Sequence, residues 1–154
     1  MTSEIDIYRS AHTLIEQHGE GAAVQAAMEA DAMLDKGDLD GAITHFRNAI
    51  RIDAQQTAIA ANSLAVILIT HPDPAKRNGP EAVQLALRVH ASLQAQGQAS
   101  PQVLTTLADA YALCGQWEMA SQTIAEAIRL AQSMGQVEFS QQLQGRLQQY
   151  QRMQ

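Results

Sequence analysis

Four aspartates, Asp31, Asp35, Asp38 and Asp40, come nearest to a reactive constellation in this sequence. A calcium loop needs oxygen ligands at its first, third and fifth positions and a glycine at its sixth. Begun at Asp35, the loop puts Gly37 and Leu39 at the third and fifth positions; begun at Asp38, it puts Gly41 at the fourth and Ala42 at the fifth. Both registers fail, so the run reads as an acidic inter-helix turn carrying an N-cap. The five histidines, His12, His18, His45, His71 and His90, form no i,i+4 pair and no HExxH, and none has a cysteine nearby. They read as surface or packed side chains rather than zinc ligands. Cys114 has no cationic neighbour in sequence, which points to packing rather than reactivity. Ser121 and Ser140 have no recognisable base, and neither a glycine-rich phosphate loop nor GxSxG occurs. The expectation is a non-enzymatic protein with no catalytic residue, no metal and no cofactor. An acid–base enzyme would need a carboxylate with a strongly raised pKa in a deep pocket.

Charge narrows the partner class. Ten basic residues face sixteen acidic ones. Phosphate neutralisation needs a basic stripe, and none exists, so nucleic acid is excluded as a partner. Residues 1–40 hold nine acids against Arg9 and Lys36, a net of −7, whereas the remainder is close to neutral. Such an acidic first quarter is either a solvated face that maintains solubility or a surface for a basic partner. The longest apolar run, Leu64 to Ile69, is six residues, far short of the ~18 a membrane span needs. The opening MTSEIDIYRS has two acids before its first arginine and no apolar core, so no secretory signal is expected. With a single cysteine, a cytoplasmic location is the simplest expectation.

The elements that would position any site are helical. Apolar residues recur at helical spacing, no useful stretch alternates with a period of two, and Ala, Leu, Gln, Glu and Met dominate. Ser3 can cap a first helix bearing Ile5, Tyr8, Leu14 and Ile15, which Gly19 ends. A second helix runs from about Ala22 to Lys36 and stops at Gly37. Asp38 or Asp40 caps a third, with Ile43, Phe46, Ala49, Ile50 and Ile52 on its apolar face. A fourth, from about Thr57 to Thr70, ends at HPDP, where two prolines forbid continuation. Asn78-Gly79-Pro80 opens a fifth; Ser100-Pro101 opens a sixth, which Gly115 closes. The seventh covers about Trp117 to Met134, and the eighth carries Val137, Phe139, Leu143, Leu147 and Tyr150 on one face.

These helices repeat in pairs. In residues 101–134, PQVLTTLADAYALCGQWEMASQTIAEAIRLAQSM, small Ala108 and Ala120 allow close helix approach. Leu107 and Tyr111 fill the space between, Gly115 permits the left-handed turn, and Ala127 admits the next helix. With Ile124, these positions have the spacing of a tetratricopeptide repeat, and the segment resembles that family. Residues 23–56 resemble the same pattern through Ala30, Met33, Gly37, Ala42, Phe46 and Ala49, with GDLDGAITHFRNAIRIDA similar to a second helix. Glu29 departs from it, standing where a large apolar residue belongs. A middle unit, residues 58–97, matches through Leu64-Ala65, Leu68, Ala82-Val83, Ala86 and Val89. Its small residues Ala65 and Ala82 lie 17 apart instead of 12, so HPDPAKRNGP carries a five-residue insertion.

The resemblance implies an all-α, tetratricopeptide-like α-α superhelix, or solenoid, of about eight helices in a single domain, residues 1–154. Residues 1–21 would be a leading helix, 23–56, 58–97 and 101–134 three repeats, and 136–154 a C-terminal capping helix. The segment 62–151, including THPDPAKRNGPEAVQLA, also looks like repeat tails on some large bacterial proteins. The first 41 residues resemble a leading segment of small bacterial proteins of unknown role. The family often places a bulky packing residue where Trp117 stands.

In this family the first helices of successive pairs line a concave groove. Carried onto this sequence, its positions are Ala27, Asp31, Leu34 and Asp35 from the first unit, Asn62, Val66, Ile69 and Thr70 from the second, and Thr105, Asp109, Ala112 and Leu113 from the third. Family members that clamp a C-terminal carboxylate use Lys, Arg and Asn at such places. Only Asn62 fits that role, while Asp31 and Asp109 would repel a carboxylate. The expected ligand is therefore a protein segment with apolar anchors and a nearby Lys or Arg. Equally open is a tightly wound array in which Val66 and Ile69 pack on a neighbouring helix. The leading expectation is an adaptor that binds a partner segment in the groove. The alternative is a structural subunit of a homo- or hetero-oligomeric assembly held by its end helices. Tyr8, Phe139 and Tyr150 lie on those helices, and eight of the twenty glutamines follow Gly135.

Overall fold

The computed structural model describes residues 21–54 and 57–154. Among these residues the chain is all-helical, with no strand. In order come α1 (Ala22–Asp35), α2 (Leu39–Ile52), α3 (Ala58–Thr70), a 3-10 turn (Pro74–Lys76), α4 (Gly79–Ala95), α5 (Pro101–Leu113), α6 (Trp117–Ser133) and α7 (Val137–Arg152). Seven α-helices thus stand where the sequence led to about eight; the leading helix expected over residues 3–19 lies outside the described residues. The chain divides into two compact units at a point within α3, one ending at Ile67 and the other comprising Leu68–Gln154.

The helix starts follow local chemistry. Asp38, not Asp40, caps α2, its side chain accepting the Gly41 N–H at 2.9 Å. Asn78 caps α4 by accepting the Glu81 N–H at 3.0 Å while its own amide donates to the Glu81 carboxylate, a reciprocal pair that satisfies both groups. Ser100 caps α5 through the Val103 N–H, with Pro101 at the start of the helix, where no N–H is needed. The helix ends are equally local. At Gly115 (φ 73°) the chain turns left-handed, Gly115 N–H donates to Ala112 and Gln116 N–H to Tyr111, which closes α5 on its orphaned carbonyls. Gly37 (φ 78°) closes α1 with the same two hydrogen bonds, to Leu34 and Met33. Gly97 and Gly135 repeat them after α4 and α6. One turn design used four times is what gives the chain its repeat-like run of helical hairpins.

The inserted segment after α3 is ordered by its own polar groups. Asp73 accepts the Ala75 N–H, Arg77 donates to the His71 carbonyl at 2.7 Å, and Asn78 N–H donates to Leu68 at 2.9 Å. These bonds fold HPDPAKRNGP back onto the end of α3.

Within the first unit α1 and α2 pack as a hairpin. Ala30 and Ala42 are fully buried and Phe46 is almost so, and small side chains of this kind let two helix backbones approach closely. In the second unit Leu104, Leu107 and Tyr111 of α5 meet Ile124 and Ile128 of α6 and Leu143 and Tyr150 of α7, with Ala108 and Ala120 again fully buried. Burying a side chain such as Ile124 stabilises the fold by about 1.5–3 kcal/mol. Trp117 packs with its ring centroid 6.2 Å from that of Tyr150, at 40°. Cys114, expected to pack rather than react, is half-buried. Gly79 at the start of α4 approaches it closely: a Cβ there would stand 2.6 Å from the Cys114 Sγ.

Candidate partner-binding groove

The first turns of α1 present two faces. Ala22, Ala23, Ala26 and Ala30 are buried, while Val24 and Met28, one turn apart, are 46% and 60% exposed. Residues four apart on a helix are neighbours on its surface, so Val24 and Met28 form an apolar stripe that continues into Asp31 and Asp35, both exposed. Across from this stripe, Ile59 at the start of α3 is 86% exposed. Between them lies a cavity of about 190 Å³, lined from α1 by Val24, Ala27, Met28 and Asp31, from α2 by Phe46, and then by Thr57, Ile59, Ala60 and Ser63. Small-molecule sites typically enclose ~300–1,000 Å³, so this groove is sized for one or two inserted side chains. Among the described residues its lining is mostly apolar, with the Thr57 and Ser63 hydroxyls and the single carboxylate of Asp31.

Of the expected groove residues, Ala27 and Asp31 line this cavity. Leu34, half-buried, and exposed Asp35 follow on α1. On α3, Asn62 has a buried Oδ1 with no hydrogen-bond partner among the described residues, and Val66 is exposed. Ile69 is half-buried and Thr70 exposed; both fall in the second unit. Thr105 turns its hydroxyl inward to donate to the Pro101 carbonyl at 2.8 Å. Ala112 packs against the second unit's core, and Leu113 is exposed.

Asp109 has a different fate from Asp31. Its carboxylate is held from α7 by the Arg146 guanidinium and by the Tyr150 hydroxyl, which donates to it. Burial, and the hydrogen bond and negative charge of Asp109, hold the Tyr150 phenol well above the usual tyrosine range, with the Arg146 charge opposing. The acidic place on α5 is therefore occupied by the chain's own last helix.

Two of the histidines, His71 and His45, have polar neighbours among the described residues. His71 Nδ1 accepts the Asp73 N–H at 3.0 Å. Buried His45 has its Nδ1 3.4 Å from a Glu29 carboxylate oxygen, in contact but not aligned as a hydrogen bond. His90 is half-buried, with a buried Nδ1 that has no hydrogen-bond partner among the described residues, and His12 and His18 lie outside the described residues. Among the described residues no three His, Cys, Asp or Glu side chains gather as metal ligands, and no helix is long and apolar enough to cross a membrane.

Sequence reasoning missed the groove's outer wall. Val24 and Met28 carried a usable signal, an apolar i,i+4 pair displaced from the alanine face. Ile59 carried none, since a single isoleucine in an apolar stretch does not announce its exposure.

No family model matches the chain, and no curated protein matches it.

Proposed function

We propose that this chain is a non-enzymatic protein-interaction module of tetratricopeptide type, an adaptor that holds a segment of a partner protein against the first helices of its repeats. The observation that carries this reading is the groove between α1 and α3, where Val24, Met28 and Ile59 stand exposed around an apolar cavity. Exposed apolar side chains grouped about a concavity, rather than scattered, mark an interaction site. The scale of the groove favours side chains of a peptide over a small substrate. A cytoplasmic setting accords with the one free cysteine.

The test is affinity capture with the full chain beside a Met28→Glu/Ile59→Glu variant. Both positions are exposed, so the variant keeps its helical circular dichroism. A partner retained by the first and lost by the second supports the reading; equal retention moves the interface elsewhere. The second reading, a subunit of an oligomeric assembly, draws on exposed Met134 and Val137 at the α6–α7 turn and on the exposed glutamines of α7. A mass that rises with concentration, and falls back on Val137→Glu, would favour it.

A further inference from the structure

We infer that the α1–α3 groove selects a basic amphipathic segment of a partner protein, one that sets an arginine or lysine on Asp31 while its apolar side chains seat against Val24, Met28 and Ile59. This rests on the protein-binding reading of that groove. Two observations carry the added claim. Among the described residues Asp31 is the groove's one charged lining residue, and exposed Asp35 continues the same helix face one turn on. An arriving carboxylate would meet repulsion there, and a cation attraction.

The second observation comes from the other unit. Asp31 and Asp109 hold the same place in two similar repeats, each directly after a fully buried alanine, Ala30 and Ala108. Each precedes by six residues a left-handed glycine, Gly37 and Gly115. At Asp109 the chain supplies its own answer: α7 presents Arg146 and the Tyr150 hydroxyl to the carboxylate from the helix that buries Leu143 and Tyr150. A cation flanked by apolar anchors thus already satisfies one of the two sites from within the chain. Among the described residues Asp31 is the equivalent site at the edge of an open groove, and the same chemistry fits it from outside.

The experiment is selection of a displayed library of amphipathic helical peptides on the full chain, on Asp31→Lys, and on Met28→Glu/Ile59→Glu. Sequences enriched on the full chain are expected to carry Arg or Lys within a turn of their apolar anchors. They should bind Asp31→Lys about tenfold more weakly, the scale of one part-exposed ion pair lost and reversed. Selection on Asp31→Lys should turn toward Asp and Glu. If the enriched peptides need Met28 and Ile59 but are indifferent to Asp31→Lys, the cation claim is overturned and the groove reading stands. Should the double glutamate variant enrich the same peptides equally well, both fall. A doubled mass of the chain alone, abolished by Met28→Glu, assigns the groove to a second copy and also overturns the claim.

Discussion

Changing Tyr150 to phenylalanine removes one oxygen and leaves the ring beside Trp117. The side chain is buried and its hydroxyl donates to the Asp109 carboxylate; hydrogen bonds to charged groups contribute about 1.5–3 kcal/mol. Asp109 keeps Arg146 in this variant, and with 26% of its side chain exposed water can replace the missing donor. Tyr150→Phe therefore costs about 1.5 kcal/mol, the low end of that range. Asp109→Ala strands a buried hydroxyl without its acceptor and costs about 2–3 kcal/mol. Arg146, with 45% of its side chain exposed, belongs to the class of ion pairs that contribute ~0–1 kcal/mol, so Arg146→Ala is the mildest of the three. The Asp109→Ala/Tyr150→Phe pair leaves no stranded hydroxyl and should show a coupling of about 1–2 kcal/mol in a double-mutant cycle. Urea unfolding followed by fluorescence of Trp117, the one tryptophan, reads the second unit directly. Additive costs, or Arg146→Ala as the largest effect, would refute the account of this contact.

Alkali should weaken the same contact. Folding raises the Tyr150 pKa above its ordinary 10.0, so its contribution is complete below about pH 10 and is lost as pH rises toward the folded value. The urea midpoint should fall between pH 9 and pH 11 more in the wild-type chain than in Tyr150→Phe; equal falls would contradict the assignment. At the α4–α5 contact, Gly79→Ala places a Cβ 2.6 Å from Cys114 Sγ and 3.4 Å from Leu113 Cγ, an overpacking that costs about 1–3 kcal/mol. Adding Cys114→Ala should recover most of that loss in the same unfolding assay, and the absence of rescue would place the strain elsewhere.

How far the sequence could be read depended on how local each determinant was. Ser100-Pro101, Asn78-Gly79-Pro80, Gly37 and Gly115 mark helix boundaries because a cap or a left-handed turn involves only a few consecutive residues. The burial of Ala30, Ala42, Ala108 and Ala120 was legible for a related reason: close helix approach demands small residues at a fixed spacing. Contacts between distant segments were not legible. Arg146 meets Asp109 across thirty-seven residues, and no pattern along α7 distinguishes it from a solvated arginine. The choice between Asp38 and Asp40 as the cap of α2 turned on which side chain reaches the Gly41 N–H, a matter of backbone geometry. Ala27 and Asp31, named through the repeat resemblance, line the cavity beside α1, whereas Ile59 required knowledge of where α3 begins and what it faces.

The central claim is that a partner segment lies in the α1–α3 groove, and amide hydrogen exchange tests it most directly. The partner captured by the full chain is added back, and exchange is compared with and without it. Slowed exchange in peptides covering Val24–Asp31 and Ile59–Ser63, with α6 and α7 unchanged, is the predicted result. Protection confined to α6 and α7, with α1 and α3 unaltered, would contradict it.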